Sequence, residues 1–311
     1  MKDSSVVAVC CADLHLSHRA PVARSCEGDW LKIQAGYLQQ LDKLCRRYEC
    51  PLIIAGDLFD RWNPPSELVN LALSYLPDDC YAVPGNHDLS SGGMEDIKKT
   101  AFWTLVKAGK ITLLRTDRPI DLASANPLRL HGFGHKDELH PLEDPQDFFI
   151  EVAVVHQYVW ASDSKHQMAR EEALIGKVLK NLTGYNAAIF GDNHLHFAWR
   201  PTPRDECQCH IWNCGAFMRR KSDEVELTPC IGLLHIDGSL TQHLLDVRKD
   251  KFLDPNELTT LIKDEHVEDF IQELSELQDV AIDFGERVRQ AVKGVSPQIA
   301  RLALKSLEGK P

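Results

Sequence analysis

The 311-residue chain has no uninterrupted apolar run close to the roughly 20 residues that a bilayer-spanning helix needs. It also has no basic-then-apolar leader at its start. Positive charge is in short supply, since 35 Lys and Arg stand against 46 Asp and Glu, for a formal net charge of -11. We therefore expect a soluble protein outside the membrane. A broad basic surface for nucleic acid is not expected, so any nucleic-acid binding must be local.

The ten cysteines lack the regular spacing of a disulfide framework. Without a leader, they favour a reducing compartment, and we expect the cytoplasm. The chain also lacks internal repeats and low-complexity tracts. With 43% hydrophobic and 26% charged residues, it has enough apolar material for a full globular core and a smaller second unit.

Short apolar runs alternate with amphipathic segments, which predicts a layered α/β core. Strands are predicted over 6–11, 52–55, 80–83, 111–114, 128–133, 152–155, 187–190, 211–213, 231–236 and 240–247, and helices over 30–45, 66–75, 94–108 and 169–182. From about Lys249 the composition becomes charged and helical, without strands. The chain is therefore expected to divide into a core, 1–248, and a small helical C-terminal extension, 249–311.

Side chains of the kind that bind metals follow five of the predicted strands. They are Asp13 with His15, Asp57, Asn86 with His87, His156, and Asp192 with His194. The carboxyl ends of strands in an open α/β sheet share one edge, so these groups are expected to converge. One Asp or Asn after a strand is commonly a turn residue. Five such strand ends with this ligand set instead predict a metal site for Mn, Fe or Zn.

These segments resemble the calcineurin-like metallophosphoesterases, whose blocks run D-x-H, G-D-x-x-D, G-N-H-D, a lone H, and G-H-x-H. Here the blocks are residues 13–15, 56–60 and 85–88, then His156, and a variant of the last block at 191–196. The ordered match spans about residues 6 to 247. It implies a four-layer α/β sandwich.

The resemblance also implies a ligand set for two divalent metals, with Mn favoured and Fe, Zn or Mg as alternatives. Asp13, His15 and His194 would hold one metal, Asn86, His156 and Asp192 the other, and Asp57 would bridge them. A water between the metals would be the nucleophile. His87 would contact the phosphate or protonate the leaving oxygen, and Asp88 would fix the orientation of its ring.

The last block allows two registers, because it reads Gly-Asp-Asn-His-Leu-His from Gly191. In the first register Asp192 and His194 are ligands, and in the second His194 and His196 are. We favour the first, since it keeps a ligand at the strand end without inserting two residues. An aspartate there would favour Mn or Mg at the second site.

Two segments look most like the SbcD nucleases. They are residues 56–61 followed by Pro-Pro-Ser at 64–66, and residues 213–224, which resemble an N-P-G-S block followed by an acidic residue. This likeness implies DNA phosphodiesters as substrate, and docking of the C-terminal extension, with its apolar stripe around Leu274, on an SMC-type ATPase. A phosphodiesterase or phosphatase for small molecules or phosphoproteins is an alternative that the acidic charge supports. A non-catalytic scaffold that binds protein partners is another, but a scaffold has no need of His87 beside a complete ligand set.

Two weaker patterns have a structural and a functional interpretation. Cys207-Gln208-Cys209-His210 resembles half of a zinc site, but no second cysteine pair stands at finger spacing. Trp160, Trp199 and Trp212 flank the proposed site segments and offer surfaces for base stacking, although plain packing is favoured.

Overall fold

The computed structural model describes residues 5–91, 93–122, 127–161 and 169–254. The predicted C-terminal helices beyond residue 254 lie outside the described residues. The strands are β1 (Val6–Cys11), β2 (Leu52–Ala55), β3 (Cys80–Val83), β4 (Thr112–Leu113), β5 (Ile120–Leu122), β6 (Leu128–Phe133), β7 (Ile150–His156), β8 (Ala187–Gly191), β9 (Phe197–Trp199), β10 (His210–Asn213), β11 (Cys230–His235) and β12 (Leu240–Leu244). The α-helices are α1 (Trp30–Tyr48), α2 (Ser66–Tyr75), α3 (Ala101–Lys107) and α4 (Ile175–Val178).

The strands form two six-stranded sheets, in the orders β12-β11-β1-β2-β3-β4 and β5-β6-β7-β8-β10-β9. Strands β1 to β4 are parallel to one another, as are β6, β7, β8 and β10. Antiparallel strands complete the sheets on their flanks. Every residue of β1 and β2 is buried, as expected for parallel strands covered on both faces.

Three apolar clusters show that the molecule has four layers. One lies between the sheets and joins Ile53 and Val83 of the first sheet to Val152 and Ile189 of the second. Another lies between the first sheet and α1, α2 and α3. A third covers the outer face of the second sheet with α4 and its neighbouring loops. The predicted α/β sandwich is confirmed.

Two predicted helices are interrupted. The 94–108 segment is a 3-10 helix, Gly93–Lys99, followed by α3, because Thr100 Oγ1 accepts a hydrogen bond from the amide of Trp103 at 3.2 Å and begins a new helix there. The 169–182 segment breaks because the backbone of Trp160 pairs with it in extended conformation. The Trp160 amide donates to the carbonyl of Ala173 at 3.0 Å, and the Trp160 carbonyl accepts from the amide of Ile175 at 2.9 Å. The short edge strands β5 and β9 were not predicted.

Residues 249–254 contact the core. The Asp250 carboxylate pairs with the buried guanidinium of Arg24 at 2.7 Å and with Arg219 at 3.0 Å, and it accepts a hydrogen bond from the Tyr37 hydroxyl at 2.7 Å. The chain is therefore anchored where the predicted extension begins.

No helix among the described residues is long and apolar enough to cross a membrane.

Candidate metal centre

The predicted ligands meet at the carboxyl ends of β1, β2, β3, β7 and β8. Asp57 lies between two histidines that come from different sheets. Its Oδ2 is 3.6 Å from His15 Nε2 and 3.5 Å from His156 Nε2. Asp57 is also 2% exposed, so its carboxylate is available only to groups inside this cluster.

The first group of ligand atoms comes from Asp13, His15 and His194. The Nε2 atoms of His15 and His194 are 3.2 Å apart, and His194 Nε2 is 4.0 Å from Asp13 Oδ1. All three candidate atoms lie within 4.8 Å of one another. Bonds of about 2 Å from one metal to its ligands place neighbouring ligand atoms roughly 3 Å apart, so this group fits a single ion.

The second group is centred on His156, which is buried. Its Nδ1 lies 2.8 Å from the carbonyl oxygen of Ala55, and its Nε2 lies 2.9 Å from Asn86 Oδ1. Donation from Nδ1 to the backbone fixes the tautomer and presents Nε2 as the ligand atom. Asp13, Asp57 and His156 form a further tight group of possible ligand atoms.

Asp192 and His196 differ in what they contact. The backbone amide of Asp192 donates to both carboxylate oxygens of Asp13 at 3.1 Å, which ties this position to the first group. His196 instead has its Nδ1 2.7 Å from the carbonyl of Asn213, with its ring against Trp212 at a centroid distance of 4.2 Å. Neither belongs to the tight groups found among the described residues. The choice between the two registers therefore stays a prediction.

The backbone is strained at the proposed ligands. Asp13, His15, Asp57 and Asp192 have φ values of 53°, 42°, 54° and 84°. Such left-handed conformations cost about 1 to 3 kcal/mol each and persist where the surroundings enforce them. Here the amides of Asp13 and His15 donate to the carbonyls of Gly56 and Asp57 at 3.1 and 3.0 Å. The strain is thus held by bonds between neighbouring strand ends.

Two glycines allow this close approach. A Cβ on Gly56, which has φ +92°, would collide with the ring of His156. A Cβ on Gly85 would collide with Asp57 Oδ1. The glycines in the G-D and G-N-H-D blocks are therefore required by the packing of the ligands themselves.

The structure corrects the role predicted for Asp88. Its carboxylate accepts hydrogen bonds from the amides of Leu58, Phe59 and Gly85 at 3.2, 3.1 and 3.0 Å, so it joins the loops that carry Asp57 and Asn86. Burial, with the nearby charge of Asp57, raises the pKa of Asp88 to about 6. Asp88 therefore holds the ligand loops together, and among the described residues no hydrogen bond joins its carboxylate to the ring of His87.

The ring of His87 is held by Asp60. Its Nδ1 lies 2.9 Å from the Asp60 carbonyl oxygen, and its amide donates to Asp57 Oδ1 at 3.0 Å. The ring packs edge-on against His15 at a centroid distance of 4.7 Å. His87 therefore lies beside the ligands, with its orientation fixed by a backbone carbonyl.

Sequence reasoning missed two cations near this centre. Arg220 Nη2 donates to Asp60 Oδ1 at 2.7 Å. Burial is the main cause that lowers the pKa values of His15 and His194, and the charge of Arg220 lowers both further. Burial, followed by the charge of Lys221, lowers the pKa of His194 to about 3. His194 is therefore neutral, as a ligand must be. No motif signalled these side chains, because they lie in a loop far along the chain.

The negative charges of Asp13, Asp57 and Asp192 favour the presence of positive charge at this centre. Burial raises the pKa of Asp13 well above its usual value, and the charges of Asp57 and Asp192 add to this effect. Burial opposes protonation of His156, but the charges of Asp57, Asp192 and Asp13 outweigh it and raise its pKa. Among the described residues, no Lys or Arg pairs with Asp13 or Asp57. Buried carboxylates that converge in this way fit metal cations.

Of the three tryptophans singled out in the sequence, two are buried, and Trp199 is partly buried against the apolar cluster on the outer face of the second sheet. Trp212 is 1% exposed within the core between the sheets, and Trp160 is buried with its Nε1 donating to the Arg170 carbonyl at 2.8 Å. Both pack, and neither presents a ring for base stacking. Cys207 and Cys209 are buried in the apolar cluster on the outer face of the second sheet.

Substitutions in the last block distinguish the two registers. If Asp192 and His194 are ligands, Asp192→Ala should empty the second metal position, whereas His196→Ala should keep both metals and most of the turnover. Metal per chain and hydrolysis of bis-p-nitrophenyl phosphate measure both effects. His194→Ala should be damaging in either register. Two bound metals in Asp192→Ala together with a lost metal in His196→Ala would establish the opposite register.

Residues 7–209 match the family model described as calcineurin-like phosphoesterase. The search of curated proteins found no match.

Among solved structures, the chain is similar to a dimetal phosphatase from Danio rerio, with 12% identity, a TM-score of 0.43, and coverage of 74% of this chain and 93% of that one. It is similar to the phosphopantetheinyl hydrolase of Mycobacterium tuberculosis at 11% identity and a TM-score of 0.43, covering 80% and 99%. A calcineurin-like phosphoesterase from Bacillus subtilis has 12% identity and a TM-score of 0.43, with 88% and 98% covered.

Proposed function

The chain belongs to the calcineurin-like phosphoesterase family, and from this premise we propose that it hydrolyses DNA phosphodiesters at the centre built around Asp57. The observation that carries hydrolysis by two metals is the position of the Asp57 carboxylate, whose Oδ2 lies about equally far from His15 and His156. One carboxylate between two ligand groups is the arrangement that a pair of divalent cations requires. Manganese is the ion that we propose.

The chain supplies the ligands and the groups around the scissile phosphate. Divalent cations bound here would lower the pKa of a water between them and neutralise charge on the phosphoryl oxygens. His87 has its Nδ1 engaged by the Asp60 carbonyl, so its Nε2 is the atom for contact with the substrate. To donate a proton from Nε2 while Nδ1 keeps its own, the ring must be the doubly protonated imidazolium. We assign His87 to the phosphate or to the leaving oxygen in that form.

Replacing His87 by alanine should lower the turnover of bis-p-nitrophenyl phosphate by roughly a hundredfold, the usual contribution of a positioned acid or base. Metal content should stay the same, because Asp57, His15 and His156 remain in place. Metal analysis and steady-state kinetics measure the two quantities. The exposed His18 provides the matched control, and His18→Ala should keep full activity. Loss of metal together with activity would make His87 a ligand instead.

Contacts between the two SbcD-like segments support DNA as the substrate. Arg220, in the 213–224 segment, pairs with Asp60 of the 56–61 segment at 2.7 Å. The amide of Ala216 donates to the His194 carbonyl at 3.0 Å, and that of Phe217 to the Asp13 carbonyl at 3.4 Å. Both segments thus surround the first group of ligands. The same likeness leads us to propose that residues 249–311 dock on an SMC-type ATPase.

One activity screen tests the substrate. The full-length protein with added Mn is given labelled DNA, bis-p-nitrophenyl phosphate and p-nitrophenyl phosphate. We expect cleavage of DNA and of the diester, and little release from the monoester. Efficient hydrolysis of the monoester without DNA cleavage would favour a phosphatase for small molecules or phosphoproteins.

A further inference from the structure

A cavity of about 560 Å³ lies beside the second group of ligands and shares His156 and Asp192 with it. One part of its lining carries His135 and Lys136, which follow β6, and another part comes from residues between 170 and 181. The volume falls within the usual range of sites for small organic ligands. A group attached to a phosphate at the metal centre therefore has room to enter this cavity.

The lining is unusually positive for an acidic chain. Lys136, Arg170, Lys177 and Lys180 line the cavity, against Glu172 and the proposed ligand Asp192. The whole chain has a formal net charge of -11, so this is a local reversal of sign. In the part of the chain that the structure describes, none of these four cationic side chains is in an ion pair. By contrast, Arg115 and Arg129 on the surface pair with Asp117 and Asp121.

Hydrogen bonds hold both parts of the lining. On one side, Trp160 Nε1 donates to the Arg170 carbonyl at 2.8 Å, and its backbone pairs with Ala173 and Ile175. On the other side, Asp137 Oδ2 accepts from the Gly134 amide at 2.9 Å and from Thr116 Oγ1 at 3.0 Å. The cations therefore extend from ordered backbone, which lowers the entropic cost of binding an anion between them.

We propose that this cavity binds a second phosphate of the substrate, next to the scissile phosphate and on the side of His156 and Asp192. The inference rests on the proposed phosphodiesterase function and specifies its substrate class. A substrate with successive phosphates that is cleaved at the metals places its next anionic group beside the metal centre, and ammonium and guanidinium groups are the usual partners of phosphate. The second phosphate comes either from the neighbouring linkage of a single DNA strand or from a dinucleoside polyphosphate.

The test measures inhibition of bis-p-nitrophenyl phosphate hydrolysis, with excess Mn, by a single-stranded thymidine oligonucleotide and by a dinucleoside polyphosphate. The variant is Lys177→Gln with Lys180→Gln, which removes two exposed cations from one wall. The matched control is Lys32→Gln with Lys43→Gln, which removes two exposed lysines from α1, outside the cavity lining. Each inhibition constant is calculated with the KM that the same variant has for the reporter, so a change in reporter binding does not enter the comparison.

The inhibition constant of at least one probe should rise roughly tenfold or more in the cavity variant and stay unchanged in the control. For the oligonucleotide, the dependence of log Ki on log salt should also weaken, by about 0.7 for each lost phosphate contact. The probe that responds identifies the source of the second phosphate. Equal inhibition constants in the cavity variant and the control, for both probes, would overturn the inference. Because inhibition is measured, this result is independent of whether the oligonucleotide is cleaved.

Discussion

Asp57→Asn is expected to lower phosphodiester hydrolysis by roughly a thousandfold and to reduce bound metal from two ions per chain to one or none. The neutral amide removes the charge that faces both His15 and His156. Charge stabilisation by metal ions contributes several kcal/mol to such reactions, and each 1.36 kcal/mol corresponds to about a factor of ten in rate. Metal analysis and turnover of bis-p-nitrophenyl phosphate measure the two effects.

The fold should survive this substitution. Asparagine is close to aspartate in size, and its side-chain oxygen can still accept the bond from the His87 amide, which is 3.0 Å long in the structure. Asp121→Asn, at an exposed aspartate that pairs with Arg129, is the control for loss of one carboxylate and should keep normal activity. Two bound metals and near-normal turnover in Asp57→Asn would show that the Asp57 carboxylate is not the ligand shared by the two metals.

Gly85→Ala is expected to have an effect of similar size, although it changes no ligand and no charge. The added Cβ would collide with Asp57 Oδ1 and would lie 2.7 Å from Asp57 Cγ. Because the Asp57 amide also lies 2.5 Å from the new atom, rotation of the side chain alone cannot relieve the overlap. The carboxylate should be displaced, so that both metals and hydrolysis are lost.

Gly36→Ala is the matched control for Gly85→Ala. Gly36 lies within α1, and no atom apart from its chain neighbours and the nearby backbone of the helix lies within 4 Å of the position of its Cβ. Alanine is favoured over glycine in a helix by about 1 kcal/mol, so this variant should be at least as stable as the unchanged protein and fully active. Metal content, turnover and thermal unfolding separate a displaced ligand from a collapsed fold. Full metal occupancy and activity in a folded Gly85→Ala protein would contradict the described position of Asp57.

The predicted strands 6–11, 52–55 and 80–83 have the bounds of β1, β2 and β3 in the structure. Burial on both faces makes a parallel strand continuously apolar, and this pattern is visible without knowing its neighbours. The helix predicted over 94–108 was less accurate, because the Thr100 cap divides the segment within an unbroken amphipathic pattern. Trp160 likewise breaks the 169–182 segment from outside, and no periodicity within that segment indicates it.

The sequence by itself determined which residue types stand at the strand ends and, because parallel strands share an edge, that those residues converge. Only the tertiary structure decided what surrounds them: the Asp60 carbonyl on His87, the amides on Asp88, and the Arg220 guanidinium on Asp60. The charged cavity also required the fold, since its walls come from separate parts of the chain. The physical reason is that hydrogen bonds and charges act over distance in space. The spacing of residues along the chain carries no trace of a contact such as the one between Asp60 and Arg220, 160 residues apart.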